Sequence, residues 1–493
     1  FCTLLTFFII SCFCKMSRRA SLKSLSQNFQ GLPRLPLPPL SETLERYRRS
    51  VRHLKRKEVV DKHFETVMRF ERGIGSQLHS ELVAQEAAAA ISGEAPFSYI
   101  ERVWEDGYLE FRGPSPINLC PCLSIKQIPK VASQAAAASK FSCGIAQWVV
   151  HARTDGVRYD LGVDASQLLF QFSTARIPRA ERDAMIQGSL ESTNRMTVLR
   201  NGHVYLVDVI DSDGVAISEE CLKSTLQHII DSTSTEENHT SIGVLTAGSR
   251  NDWAASFAEL SRDPANEEKL KQIATSLFVL NLDSAELNSP QEVQKSMLFG
   301  GTEPGNRLYD KHQIIVSKTG QIAVNFEHAF TDGMSWCTWI EDVYSYCLSS
   351  PQPGSMKMPT IEKIDFSFGK SFATRIRNAK QDLQKLTESI DVASPILDFG
   401  KKQLKLCGVS SDAFTQMCLQ CAYFKTHGKL APTYESCSTN KFFHGRTETL
   451  RTATSEMLNL VHAIHSSPRD AELIKNAIKQ VSEVHVKMGS EAS

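Results

Sequence analysis

Excess charge of either sign is absent from this chain of 493 residues. Lys and Arg total 55, Asp and Glu total 55, and the formal net charge is +0. Without a broad basic field, nucleic acid is not expected as a partner, nor is strong attraction to an anionic membrane. Long apolar runs are missing too. The run in FCTLLTFFIISCFCK is too short to cross a bilayer and has no basic segment ahead of it, so a transmembrane span and an ordinary secretory signal are set aside. A disulfide framework is also lacking. The 13 cysteines are an odd number without repeating spacing, which fits a reducing compartment. Cys418 and Cys421 form a CxxC with no second ligand pair at zinc-like spacing, and both fit an apolar helical pattern, so no metal is expected. No G-x-S-x-G elbow occurs, and Cys337 near His328 sits in no nucleophile motif, which argues against a Ser or Cys hydrolase.

The composition is that of an ordinary globular protein, 41% hydrophobic and 22% charged. The length calls for two or more domains. The first methionine is Met16, and the residues before it are expected to be a translated leader or a gene-model artefact. From there MSRRASLKSLSQNF holds Arg, Lys and Ser but no acid, a composition shared by mitochondrial presequences and disordered basic tails. Residues 1–30 are therefore assigned to a leader, targeting or disordered segment. The expected compartment is mitochondrial, with peroxisomal and cytoplasmic as alternatives.

Local patterns mix helix and strand without a regular βαβ rhythm. GLPRLPLPPL at 31–40 is an extended entry. Ser41 then caps a helix with early acids and late bases. Helix is expected at Leu82–Ile91 and at the alanine run Ala135–Ala138, and RNGHVYLVDVID at 200–211 reads as strand around a turn. SIGVLTAGSRNDWAASFAELSRD at 241–263 reads as strand, turn and helix. SPQPGSMKMP at 350–359 is the best break between domains, giving 31–355 and 356–493. Beyond it lies a long helix in KSFATRIRNAKQDLQKLTESID.

The clearest local structure is KHQIIVSKTGQIAVNFEHAF at 311–330, a hairpin around Lys318-Thr319-Gly320. By the period-2 rule Ile322, Val324, Phe326 and His328 share a face, and Asn325 and Glu327 point the other way. Asp332-Gly333 then turns the chain into a helical segment. An inward histidine at a strand end suits a general base, and a satisfied core histidine has the same pattern. Lys401 and Lys405 lie four apart on one prospective helix face, ahead of a helix with Ser411 as N-cap and Gly428 as stop. Such lysines suit phosphates, and two solvated lysines look identical.

Periodicity does not account for TYESCSTNKFFHGRTETLRTAT at 433–454. It resembles the signature of the choline/carnitine acyltransferase family. LPRLPLPPLSETLERY, YLEFRGPSPINLCP, FQFSTARIPRAERD, GNRLYDK, NFEHAFTDG and GKKQLKLCGVSSDAFTQMCLQCAYF resemble other family segments in the same order, from about Gly31 to the end. The resemblance implies an α/β fold of two chloramphenicol-acetyltransferase-like domains with an active-site tunnel between them, the second domain incomplete here. It implies His328 as general base in reversible acyl transfer between coenzyme A and the hydroxyl of L-carnitine. Asp332 would fix the turn through an ion pair. Lys401, Lys405, Asp412 and Ser436 match coenzyme A residues, and Tyr434 and Thr447 match the grip on the carnitine carboxylate. Gly445-Arg446-Thr447 is of the carnitine type rather than the choline type, with Arg446 and Arg451 as structural ion-pair partners. Family members continue into segments that carry an arginine, a serine and a glutamine of the site. Their lack here leaves an impaired acyl-CoA-binding remnant as the alternative. No cofactor is bound permanently, acyl-CoA and L-carnitine are the partners, peripheral membrane contact stays open, and a monomer is expected.

Overall fold

The computed structural model describes residues 19–20 and 32–492, apart from 55–56, 94, 132, 155–156, 159–161, 235–237, 239–240, 288, 302 and 350–352. The leader assigned to 1–30 lies almost wholly outside the described residues.

After the short strand Arg19–Ala20 come four helices: α1 (Leu40–Val51), α2 (Lys57–Arg72), α3 (Ile74–Ser92) and α4 (Glu101–Leu109). α1 begins at Leu40, and its N-cap position is Pro39 with no side-chain cap, so the expected Ser41 cap is displaced into the first turn. α3 starts well before the expected Leu82.

A seven-stranded mixed sheet follows, built from β1 (Cys122–Ser124), β2 (Arg195–Arg200), β3 (His203–Asp208), β4 (Val279–Leu282), β5 (Gln313–Val316), β6 (Ile322–Asn325) and β7 (Ile361–Ile364). The spatial order is β7-β3-β2-β4-β5-β6-β1. The β2–β4 and β4–β5 pairs are parallel and the rest antiparallel. Every residue of β4, β5 and β6 is buried, because helices cover both faces. On one face pack α5 (Gln134–Thr154), α6 (Glu219–Ser232) and α9 (Gly333–Leu348), whose Phe141, Leu222 and Trp339 meet Val198, Leu280 and Val324. The other face takes α7 (Arg250–Leu260), α8 (Pro290–Phe299) and α10 (Lys370–Glu388), where Trp253 and Phe372 meet Ile315 and Ala323.

Two expectations need correction here. The segment 243–247 is a 3-10 turn rather than a strand: Leu245 N donates to Ile242 O at 3.0 Å, and a Cβ on Gly243 would lie 2.4 Å from Gly305 O, so only a bare backbone fits. The break at 350–359 does not end the first unit either. β7 returns to pair with β3, and α10 buries Phe372, Ile376 and Leu383 in the same core.

A smaller cluster is formed by α11 (Lys401–Leu406), α12 (Ser411–His427), α13 (Ser455–Ser466) and α14 (Ala471–Ala492), with Met417, Val461 and Val481 at its centre. The cap of α12 is Ser410, one residue earlier than expected, and Gly428 ends it at φ +67°. A two-stranded ribbon, β8 (Tyr434–Ser438) and β9 (Thr447–Arg451), lies against α12 and α14. Arg49 of α1 is ion-paired to Glu491 of α14, which joins the N-terminal helices to this unit. No helix among the described residues is long and apolar enough to cross a membrane.

Candidate active site

Where β6 ends, the backbone keeps two more rungs: Phe326 N donates to Pro121 O and His328 N to Leu119 O, both at 3.0 Å. His328 therefore lies three residues beyond the strand on a chain still held in extended register. Below it Phe326 stacks on Trp336, with ring centroids 5.2 Å apart. Beside it the ring of Tyr108, from α4, is centred 5.0 Å away. The His328 side chain keeps 24% of its surface accessible, so it is walled in but reachable.

The tautomer follows from the contacts. His328 Nδ1 is 2.9 Å from the carbonyl oxygen of Thr331. A carbonyl only accepts, so Nδ1 carries the hydrogen and Nε2 keeps its lone pair. Burial pushes the imidazole pKa below its ordinary value, with Asp332 pulling the other way and Arg446 adding to the depression. The ring is therefore neutral at neutral pH, with Nε2 as its basic atom.

Asp332 is the hub that fixes this loop. Its carboxylate accepts from Arg446 Nε at 2.8 Å, Arg446 Nη2 at 3.0 Å and Gln167 Nε2 at 2.8 Å, while its backbone N–H donates to Gln167 Oε1 at 2.7 Å. Burial opposes the charge on Asp332, but Arg446, His328 and Gln167 together outweigh it and hold the carboxyl below the usual carboxylate range. Arg446 also donates to the carbonyl oxygens of His328 and Ala329, each at 3.0 Å. One guanidinium thus binds the histidine loop to the ribbon β8–β9, since Thr447 is the next residue.

The other face of the sheet supports the loop through buried charge. Glu327 accepts from Arg176 at 3.1 Å, Arg176 and Arg250 share Asp183 at 2.6 and 2.7 Å, and Arg250 reaches Asp310 at 2.6 Å. Arg176, Asp183 and Arg250 have no accessible side-chain surface.

The ribbon register places Tyr434 opposite Arg451, Ser436 opposite Thr449 and Ser438 opposite Thr447. Tyr434, Ser436 and Thr447 therefore share one face, and Tyr434 and Ser436 are exposed on it. Arg451 lies over the Tyr434 ring at 5.9 Å. Lys401 and Lys405 sit on one side of α11 with both side chains exposed. Asp412 turns toward the helices, where its Oδ2 is 3.1 Å from His485 Nε2. Sequence patterns missed Gln167, Tyr108, Glu435 and His485; Gln167 is 165 residues from its partner Asp332, so no local period could signal it.

A family profile described as choline/carnitine O-acyltransferase matches residues 35–493. The mitochondrial carnitine O-palmitoyltransferase 2 of Xenopus tropicalis is 29% identical over 519 residues, which span 95% of this chain and 77% of that protein. The carnitine O-acetyltransferase of Columba livia is 28% identical, over 94% of this chain and 77% of its own. Among solved structures, a chloramphenicol acetyltransferase aligns with half of this chain at 12% identity and a TM-score of 0.22, too low to add to the fold description. With the profile spanning nearly the whole sequence, this chain belongs to the choline/carnitine O-acyltransferase family.

Proposed function

We propose that the chain is a carnitine O-acyltransferase, moving an acyl group reversibly between coenzyme A and the hydroxyl of L-carnitine, with His328 as general base. The observation that carries this is the Nδ1 bond to Thr331 O, which leaves a neutral imidazole with Nε2 free at the mouth of a fixed loop. An alcohol is a poor nucleophile at neutral pH, and a positioned imidazole offsets this. Nε2 takes the carnitine hydroxyl proton as the oxygen attacks the thioester carbonyl. The tetrahedral intermediate then collapses, the C–S bond breaks, and the thiolate recovers the proton from the imidazolium as coenzyme A leaves. In the reverse direction the thiol gives its proton to Nε2 and the carnitine oxygen receives it.

Tyr434 and Thr447 hold the carnitine carboxylate in this account. Ser436 borders the pantetheine arm, and Lys401 and Lys405 meet the 3′-phosphate. Asp412 lies beside the same co-substrate. The shared ribbon face of Tyr434, Ser436 and Thr447 supports one continuous substrate surface. Both kinds of relative are carnitine enzymes by name, and they support carnitine over choline. The substrates would meet in a tunnel between two acyltransferase units, and the proposed compartment is the mitochondrion. Thiol release from acetyl-, octanoyl- and palmitoyl-CoA, with L-carnitine, choline or neither, tests the proposal and assigns the acyl class. Release that depends on carnitine supports it; release that depends only on choline, or on no acceptor, refutes it.

A further inference from the structure

Behind the substrate face of β8 lies a polar cluster of which only Asp412 has a part in the proposed transfer. Glu435 leaves the strand between Tyr434 and Ser436, on the opposite face. Its carboxyl meets Asp412 of α12 and His485 of α14, and the three ligating atoms lie within 4.8 Å of one another. His485 Nε2 is 3.1 Å from Asp412 Oδ2 and 3.5 Å from Glu435 Oε2. The Glu435 side chain is only 12% exposed and that of His485 only 8%. Glu435 Oε2 is buried and has no hydrogen bond to a protein donor. Two carboxylates side by side with one imidazole cannot both stay charged at low cost. A proton on Glu435 resolves the conflict, because the acid can then donate to Asp412. The remaining titratable groups on this ribbon face are Cys437 and its cross-strand neighbour Glu448, neither of which supplies a cation. Cys437 itself reaches the Gly489 carbonyl of α14, so this face of the strand is the one bonded to the helices.

We propose that Glu435 is a positioning residue for the transfer: as a neutral acid it donates to Asp412 and ties the strand presenting Tyr434 and Ser436 to α12 and α14. The proposal rests on the carnitine acyltransferase reading and can fail separately from it. Burial, with Asp412 adding to it, pushes the Glu435 carboxyl up to about 8, consistent with a protonated acid at pH 7.

The test compares the full chain with Glu435→Gln and Glu435→Ala. Gln keeps a neutral donor, so its KM for carnitine and for acyl-CoA is expected within about twofold of wild type at pH 7. The wild-type KM values should rise as pH passes about 8, and the Gln variant should lose that rise. Ala should raise both KM values about tenfold while kcat changes less. Wild-type KM values in the Ala variant, or an equal loss in Gln and Ala, would overturn the proposal. So would a stoichiometric divalent cation in the wild type that disappears in the Gln variant, since a metal rather than a proton would then hold the cluster. If even the wild type transfers nothing to carnitine, the functional reading fails and thermal melting decides the positioning proposal. A group whose pKa is raised on folding stabilises most at low pH. The stability of wild type relative to Glu435→Gln should therefore fall from about pH 4.5 to about pH 8 and then level off. A difference that stays constant with pH would overturn the proposal.

Discussion

Arg446 grips Asp332 with two donors, Nε to Oδ2 at 2.8 Å and Nη2 to Oδ1 at 3.0 Å, across 114 residues of sequence. Both side chains are nearly buried, at 13% and 11% exposure. The fork holds the histidine loop and the β8–β9 ribbon in one frame, which a point charge would do less well. Arg446→Ala leaves Asp332 with Gln167 as its remaining side-chain donor. Breaking such a pair is expected to cost about 3–5 kcal/mol in urea unfolding. Transfer should fall by about 10²-fold, because a displaced base loses its approach to the hydroxyl. Arg446→Lys should recover little, and a full recovery would show that charge alone is enough.

The pH profile has a definite sign. Burial lowers the His328 pKa, and Asp332 raises it in opposition. The rate should be flat around neutral pH and fall on the acid side, through a midpoint below the ordinary histidine value of about 6.5. Asp332→Asn removes the opposing charge, so the midpoint should move to still lower pH. Initial rates from pH 5 to 8 check both statements.

Lys401 and Lys405 are exposed, so replacing them should leave the melting temperature unchanged. If they meet the 3′-phosphate, Lys401→Ala with Lys405→Ala should raise the KM for acyl-CoA about tenfold or more. With 3′-dephospho-acyl-CoA the same pair should have little effect. An equal loss with both co-substrates would place the lysines elsewhere on the cofactor path.

Asp183 holds three arginines, the buried Arg176 and Arg250 and the half-buried Arg112, with no solvent to replace it at the first two. Asp183→Asn should cost about 3–5 kcal/mol in stability, since two buried guanidinium groups lose their shared anion. The drop in urea midpoint measures it. A loss under about 1 kcal/mol would mean that Glu327 and Asp310 suffice as counter-charges.

How far the sequence carried depends on how local each cause is. The hairpin of β5 and β6 was legible because two alternating runs flank one glycine turn, and Gly320 does take φ +83°. The helix after Gly333 was legible for the same local reason. The return of β7 to the first sheet was not, since nothing in IEKI says which sheet edge it will meet, and three of its four residues are exposed. Arg446 was assigned an ion pair through resemblance alone, and the pair with Asp332 supplies the physical reason. Gln167, and the cluster of Asp412, Glu435 and His485, were illegible because each joins segments many residues apart with no shared period. Only the family resemblance points Asp412 to coenzyme A, and the fold gives it a hydrogen bond to His485.

In the proposed transfer it is Nε2 of His328 that moves the proton. The most direct measurement is acylcarnitine formation, followed by mass spectrometry, for wild type and His328→Ala at matched acyl-CoA occupancy. Carnitine-dependent product is expected from wild type, with a loss of about 10²–10⁴-fold in the variant and acyl-CoA binding retained. Product formed at the wild-type rate by a folded His328→Ala protein would contradict it.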